Sequence, residues 1–255
     1  MTDTVTPASG LPLPAVAVVV PVKNEAGNIG PLVQEIAAAL DGREFEIIVV
    51  NDGSRDGTEA ELAALMLTMP RLRLIRHVVS CGQSAAVRTG VIAARAPIVV
   101  TLDGDGQNDP AFIPALIDPI INGQPRLGLV AGQRVDRQDT GSKKMQSRIA
   151  NEVRRMVLKD GARDTGCGLK AFRRDAFVML PYFDGLHRFL PAVFRRDGYD
   201  VAFVDVLDRE RRHGKSNYGM ADRLVRGLVD LAGVWWLMQR RKHIPNASEV
   251  KNDAG

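Results

Sequence analysis

Two carboxylates and an amide alternate with glycine in the segment Asp103-Gly104-Asp105-Gly106-Gln107. The glycines let the backbone turn, so the three polar side chains can converge on one point. Hard oxygen ligands of this kind suit Mg²⁺ or Mn²⁺, which leave part of their coordination shell to substrate phosphates. A calcium loop is a rival interpretation, but Pro114 stands where the closing Glu of such a twelve-residue loop belongs. A plain turn is the third.

The segment Asp103–Gln107 follows the apolar run 98–102. A second acidic segment, Asn51-Asp52-Gly53-Ser54, likewise follows an apolar run, 46–50. The phosphate-binding pattern G-x-x-x-x-G-K-[ST] is missing from the sequence, and no G-x-G-x-x-G follows the first predicted strand. A nicotinamide cofactor and a P-loop nucleotide are therefore not expected. Because a second acidic segment accompanies it, a metal site is the favoured interpretation of Asp103–Gln107.

The elements that must position these residues alternate regularly between strand and helix. Apolar or alternating runs predict strands over 15–20, 46–50, 71–76, 98–102 and 127–131, with helical spacing between them. Thr58 and Glu61 predict a capping box for the second helix, and Asp109-Pro110 predict the start of a later one. This alternation predicts an α/β fold with a mainly parallel sheet. Ligands then bind beyond the carboxyl ends of the strands, at 21–25, 51–54, 103–107 and 131–134.

Composition narrows the class of protein. The chain has 255 residues, 45% of them hydrophobic and 25% charged, a net charge of +4 and two cysteines. The sequence does not predict a signal peptide. It contains no apolar run of 18 residues, so a membrane-spanning helix is not predicted. Basic residues accumulate over 133–155 without interleaved aromatics, so nucleic acid is not an expected partner.

The chain is expected to divide into four parts. We predict a leader over 1–14, a main domain over 15–219, an amphipathic helix over 220–245 and a polar tail over 246–255.

Five segments in order resemble the family-2 glycosyltransferases, in particular the dolichol-phosphate mannose synthases and bacterial polyprenyl-phosphate glycosyltransferases. The resemblance covers about residues 15–240. It is carried by Val19–Glu25, Val49–Ser54, Leu102–Gln107, Asp164–Arg173 and Arg211–Tyr218. It implies a Rossmann-like, mainly parallel sheet of the glycosyltransferase-A type.

The same resemblance implies roles for individual residues. For the nucleotide-sugar donor it implies base and ribose contacts from Pro21, Glu25 and Asp52, a ribose or diphosphate contact from Asp103, and diphosphate contacts from Arg211 and Ser216 with Lys215 nearby. Asp105 and Gln107 would hold Mg²⁺ or Mn²⁺. Arg134 and Lys170 would receive an acceptor phosphate, and the catalytic set would be Asp103, Asp105, Arg134 and Lys170. Many relatives carry Arg where this chain has Lys170, and a lysine lacks the bidentate fork of arginine. His187 and Arg188 are further candidates, although a structural role is the commoner one for such a histidine.

The residue types favour a phosphate acceptor. A sugar hydroxyl needs a base to remove its proton, and few candidate bases follow Phe172, whereas a lipid monophosphate is already ionised near neutral pH. We therefore expect metal-dependent, inverting transfer of a hexose to a polyprenyl phosphate. Transfer to a sugar or polysaccharide hydroxyl, and a non-catalytic lipid- or nucleotide-binding relative, are the alternatives.

The C-terminal helix bears on location. Trp235-Trp236-Leu237-Met238 is followed by Gln239-Arg240-Arg241-Lys242, the aromatic-then-basic order of an interfacial anchor. We expect the protein in the cytoplasm, peripheral on the inner face of an anionic membrane. Core packing or a homodimer is the alternative use of this helix. The sugar, the nucleotide base, the lipid length and the oligomeric state stay open.

Overall fold

One seven-stranded sheet runs through the part of the chain that the computed structural model describes, which is residues 13–123, 125–135, 152, 154–209 and 220–240. The strand order is β3-β2-β1-β4-β6-β5-β7. Strand β6 is antiparallel to both of its neighbours, and the other described pairs are parallel. The strands are β1 (Val16–Val22), β2 (Phe45–Asp52), β3 (Leu72–His77), β4 (Ile98–Thr101), β5 (Leu127–Val135), β6 (Lys170–Arg173) and β7 (Asp200–Leu207).

Helices cover both faces of the sheet. They are α1 (Ile29–Ala39), α2 (Thr58–Met66), α3 (Gln83–Ala93), α4 (Ile113–Asn122), α5 (Arg174–Val178), α6 (Leu190–Arg196) and α7 (Met220–Gln239). Val18 of β1 belongs to the core cluster shared with α1, α2 and α4, while Val19 belongs to the cluster shared with α3, α5 and α6. A parallel strand buried on both faces reads as a continuous apolar run. The predicted α/β class with a mainly parallel sheet is thus confirmed.

Strands β6 and β7 were not predicted from the sequence, and β5 is longer than predicted. The predicted segment 131–134 therefore lies within β5 instead of following it, because β5 pairs with β7 as far as Val135. This pairing places Arg134 in a strand. The segments 21–25, 51–54 and 103–107 do lie at or beyond the carboxyl ends of β1, β2 and β4.

The capping box predicted for α2 is wrong. Thr58 is the first helical residue, and its backbone N–H donates to Asp56 Oδ1 at 3.1 Å. Glu61 instead accepts from the backbone N–H groups of Gly27 (2.8 Å) and Gly30 (2.9 Å). These two N–H groups lie at the start of α1, where no helical carbonyl can accept from them. Glu61 therefore links α2 to the loop that follows β1.

The N-terminus of α3 is carried to the carboxyl edge of the sheet by close packing. A Cβ at Gly90 would lie 2.3 Å from Val19 Cγ1, so only glycine allows α3 to approach β1 this closely. The helix begins at Gln83, directly after Gly82, whose φ of 90° is in the left-handed region. Within the described residues, no helix is long and apolar enough to cross a bilayer.

Candidate active site

A cavity of about 880 Å³ opens at the carboxyl ends of β1, β2 and β4. Its floor comes from the three strand ends, and its rim includes the start of α3 and the residues that precede β6. This volume suits a ligand of nucleotide size. Eight of the residues predicted from the sequence line it together: Pro21, Glu25, Asp52, Asp103, Asp105 and Lys170, and the further candidates His187 and Arg188.

Asp103 and Asp105 form the acidic wall of this cavity. Asp103 Oδ1 accepts from Gln83 Nε2 at 2.7 Å, and Asp105 Oδ1 accepts from the backbone N–H of Gln107 at 3.1 Å. Burial, and then the charge of Asp105, raise the pKa of Asp103 to about 6, against the opposing pull of Lys170. Asp105 is buried and Asp103 is half-buried, and a divalent cation would relieve the repulsion between these two carboxylates.

Gly168 leaves room for this wall. A Cβ at position 168 would lie 2.5 Å from the carboxyl carbon of Asp103 and 2.7 Å from Asn108 Oδ1. Asn108 Oδ1 in turn accepts from the backbone N–H of Asp103 at 3.1 Å. Any side chain at 168 would therefore displace the carboxylate or its support.

Asp52 lines the cavity at the end of β2, and its carboxylate is held by four donors. Oδ1 faces His77 Nδ1 and the backbone N–H of Cys81, each at 2.8 Å. Oδ2 accepts from Ser80 Oγ (2.6 Å) and from the backbone N–H of Gly82 (2.9 Å). Burial alone would raise the pKa of Asp52, but these hydrogen bonds outweigh burial and hold the pKa below its ordinary 3.8. A carboxylate has about four acceptor positions, so Asp52 positions residues 80–82 at the cavity rim.

Gln107 and Arg134 lie beside the cavity and are not among its lining residues. The backbone carbonyl of Gln107 accepts from the backbone N–H of Arg209 at 2.8 Å. Arg134 pairs with both carboxylate oxygens of Asp164, at 2.5 and 3.0 Å, and with Asp208 at 3.1 Å. Arg134 is thus a brace behind the site, next to Gly166 on the rim.

Lys170 enters the cavity from the start of β6 with only 4% of its surface exposed. Its Nζ donates to the backbone carbonyl of Cys167. Burial lowers the pKa of Lys170, while the charge of Asp103 favours the protonated form of Lys170. Burial also raises the pKa of the Cys167 thiol to about 11, so this thiol is protonated at neutral pH. Together with His187, Arg188 and residues 165–168, Lys170 forms the basic wall of the cavity.

Two sets of residues offer ligand atoms for a divalent cation. Asp52, His77 and Cys81 lie within 4.8 Å of one another, but their oxygen, nitrogen and sulfur donors do not suit Mg²⁺ or Mn²⁺, and Asp52 already accepts four hydrogen bonds. Asp103 and Asp105 supply hard oxygens in the cavity itself. The acidic wall is therefore the better fit for Mg²⁺ or Mn²⁺.

Several lining residues were missed by the sequence analysis. Ser80 and Gly82 follow β3, so the rule applied to the other strand ends would have found them. Gln83 carries no comparable signal, and Thr165 lies in the segment Asp164–Arg173 that carries the family resemblance. Arg211, Lys215 and Ser216 lie outside the described residues. The chain leads into their segment from Arg209, whose guanidinium pairs with Glu35 and with Asp109.

Comparisons with known proteins agree with this geometry. The model of the family described as glycosyl transferase family 2 matches residues 17–179. Dodecaprenyl-phosphate galacturonate synthase of Rhizobium johnstonii is 32% identical over 249 residues, which are 94% of this chain and 73% of that protein. Undecaprenyl-phosphate 4-deoxy-4-formamido-L-arabinose transferase of Edwardsiella ictaluri is 30% identical over 220 residues, 85% of this chain and 66% of its own length.

A solved structure shares the fold. Glucosyl-3-phosphoglycerate synthase of Mycobacterium tuberculosis, in complex with Mn²⁺, UDP and glucosyl-3-phosphoglycerate, superposes with a TM-score of 0.66 at 22% identity. The match covers 89% of this chain and 80% of that one. At this level of identity the likeness concerns the fold alone.

Proposed function

The chain belongs to glycosyl transferase family 2, and from that premise we propose that it transfers a hexose from a nucleotide sugar to a polyprenyl phosphate. One observation carries this proposal. The cavity that contains the acidic wall, Asp103 and Asp105, also presents the cations Lys170 and Arg188, and no described lining residue of that basic wall is a carboxylate. The relatives named above are synthases and transferases of polyprenyl phosphates, which supports the same acceptor class.

The donor is assigned to the side of the cavity formed by β1, β2 and β4. Pro21 and Glu25 line this side, and Asp52 holds residues 80–82 in place there. We propose that these residues contact the base and ribose, that Asp103 faces the ribose or diphosphate, and that Asp105 with Gln107 holds Mg²⁺ or Mn²⁺. The cation would neutralise the charge that develops on the leaving diphosphate. Arg211, Lys215 and Ser216 are proposed for the diphosphate because of their sequence motif.

The acceptor phosphate is assigned to the basic wall. Its oxygen needs no base, since a phosphate monoester is ionised near neutral pH. Lys170 can contact it directly, because it lines the cavity. Arg134 uses three of its five N–H donors on Asp164 and Asp208, so its proposed phosphate contact would rest on the remaining two.

The reaction is proposed as a single inverting displacement. The phosphate oxygen forms a bond to the anomeric carbon as the bond from that carbon to the nucleoside diphosphate breaks. The acceptor itself supplies the nucleophile, so no covalent enzyme intermediate is required. The products are a polyprenyl-phosphate sugar and a nucleoside diphosphate.

Helix α7 supports a location at a membrane surface. Val234 is buried in the core cluster that includes α6, whereas Trp235 and Trp236 are 48% and 56% exposed. Arg240 lies over the ring of Trp236 at 5.3 Å. One face of α7 therefore packs on the domain, and we propose that the exposed aromatics and neighbouring cations bind anionic lipid on the cytoplasmic side.

A direct assay tests the proposed function. The purified chain would be incubated with a panel of nucleotide sugars and Mn²⁺, with undecaprenyl phosphate or undecaprenol as acceptor. We expect release of nucleoside diphosphate and a glycosylated lipid with the phosphate alone. Equal turnover of undecaprenol, or turnover with a sugar acceptor in place of the lipid phosphate, would instead establish a hydroxyl acceptor.

A further inference from the structure

His187 lines the cavity without a role in the mechanism above. It lies in the short 3₁₀ turn Leu186–Arg188, just before α6, and its Nδ1 is 2.7 Å from Ser84 Oγ in the first turn of α3. The imidazole edge that carries Nδ1 is thus turned to α3, which leaves the Nε2 edge for the cavity. In the described part of the chain, Nε2 has no hydrogen-bond partner and is not among the fully buried polar atoms.

The hydrogen bonds of Ser84 decide which ring nitrogen carries the proton. Ser84 Oγ accepts from the backbone N–H of Gly185 at 3.1 Å. Its own proton still needs an acceptor, and Nδ1 of His187 is the acceptor that the described residues place within reach. If Nδ1 carried the proton instead, the buried hydroxyl would be left without an acceptor, which is costly in a buried site. The arrangement that satisfies both groups is the neutral tautomer with the proton on Nε2.

We propose that His187, in this neutral Nε2–H form, donates a hydrogen bond to an oxygen of the acceptor phosphate, beside Lys170 and Arg188. This inference rests on the proposed function and deepens it. The phosphate is favoured over a sugar hydroxyl because Lys170 and Arg188 bring positive charge to the same wall. The donor diphosphate offers the same chemistry from a second source, so the test below includes it.

Charge and burial keep the imidazole neutral. Burial, with contributions from Arg188 and Lys170, lowers the pKa of His187 to about 3. A neutral ring whose Nε2 already carries a proton cannot take one from a hydroxyl acceptor. In this form His187 can donate to a phosphate oxygen but cannot be the base that transfer to a sugar hydroxyl would require.

The tautomer can be observed directly. The chain has four histidines, and a ¹H–¹⁵N correlation spectrum of ¹⁵N-histidine-labelled protein distinguishes the two neutral tautomers of each. The signal that disappears in His187→Gln identifies the residue. We expect the Nε2–H tautomer, unchanged between pH 5 and pH 8. An Nδ1–H tautomer would overturn the proposal, since Nε2 would then be an acceptor.

Ligand binding tests the partner. Farnesyl monophosphate serves as a soluble probe for the acceptor, and UDP as the probe for the donor diphosphate. His187→Phe removes the donor, whereas His187→Gln keeps an N–H at a similar distance along the side chain. We expect His187→Phe to raise the Kd for farnesyl monophosphate by about 10- to 100-fold, as for loss of a hydrogen bond to a charged group. His187→Gln should recover part of this loss, and the Kd for UDP should change less than threefold in both.

The outcomes separate the two proposals. If the parent chain binds farnesyl monophosphate and His187→Phe binds it equally well, the role of His187 is wrong while the proposed function stands. If only the UDP affinity falls, the hydrogen bond belongs to the donor, which overturns the assignment to the acceptor. If the parent chain neither binds farnesyl monophosphate nor glycosylates undecaprenyl phosphate, the proposed function itself fails.

Discussion

Arg134 and Asp164 form a two-point ion pair, with Nε and Nη2 of the guanidinium donating to the two carboxylate oxygens at 2.5 and 3.0 Å. The pair joins β5 to the segment that precedes β6. Both side chains are largely shielded from water. The same guanidinium reaches Asp208 at the end of β7 at 3.1 Å. Arg134 therefore connects three segments around the basic wall.

Removal of Arg134 should cost stability as well as activity. In Arg134→Ala the buried Asp164 loses the guanidinium that neutralises its charge, so we expect the free energy of unfolding to fall by about 3 kcal/mol. Urea denaturation measures this, and a double-mutant cycle with Asp164→Asn isolates the pair. Arg134→Lys keeps the charge but cannot make the two-point hydrogen bond of arginine, so its free energy of unfolding should lie between those of the parent and of Arg134→Ala. An unchanged free energy of unfolding in Arg134→Ala would mean that Arg134 does not brace the wall.

Asp105→Asn should abolish turnover and leave the fold intact. The amide oxygen can still accept from the backbone N–H of Gln107, while the charge that would hold a cation is gone. We expect turnover to fall by about two to three orders of magnitude, with an unchanged thermal midpoint. Asp41→Asn, at an exposed carboxylate after α1, is the matched control and should retain full activity. Full activity of the parent enzyme in excess EDTA would contradict a metal role.

Asp52 should make stability depend on acid pH. Its pKa in the folded protein is held below 3.8, the value of the unfolded chain. Its contribution is therefore present above about pH 4 and is lost as the pH falls through the folded value. Asp52→Asn removes the charge, so the difference in unfolding free energy between parent and variant should shrink from pH 6 to pH 2. A difference that is constant over this range would show that the hydrogen bonds to Asp52 do not depend on its charge.

Gly168→Ala should disrupt the acidic wall. The new Cβ would lie 2.5 Å from the Asp103 carboxyl carbon, so we expect a loss of about 1–3 kcal/mol in stability together with loss of turnover. Gly233→Ala is the control, since a Cβ at Gly233 in α7 meets nothing within 4 Å. That change should raise stability by up to about 1 kcal/mol. Equal activity of Gly168→Ala and the parent would show that a Cβ at position 168 does not displace the Asp103 carboxylate.

Helix α7 should bind anionic liposomes in a salt-sensitive manner. Each cation near such a surface contributes about 1 kcal/mol, so replacement of Trp235, Trp236, Arg240 and Arg241 by alanine should release the protein in co-sedimentation assays. Leu67→Ala with Arg126→Ala removes an exposed apolar side chain and an exposed cation elsewhere, and should not release the protein. If the parent protein fails to bind any liposome, α7 serves packing or self-association instead.

The sequence by itself determined the fold class and the edge of the sheet at which several of the predicted site residues lie together. Continuous apolar runs such as Val16–Val20 occur where a strand is buried on both faces, and the topology of parallel strands then collects Glu25, Asp52 and Asp103 at one edge. These predictions succeed because they depend on local periodicity and on a rule for strand ends. The family resemblance identified Lys170 in the same way, through a local motif.

Only the tertiary structure decided how those side chains are used. Asp52 is engaged by His77 and by residues 80–82, which are 25 to 30 positions away. Glu61 accepts hydrogen bonds from the backbone N–H groups of Gly27 and Gly30 instead of capping α2 as predicted. Ser84 Oγ and His187 Nδ1 lie 2.7 Å apart, although 103 positions separate the two residues in the sequence. No local pattern encodes these partners, because the hydrogen-bond donors and acceptors that compete for each group are brought together only when the sheet and helices pack.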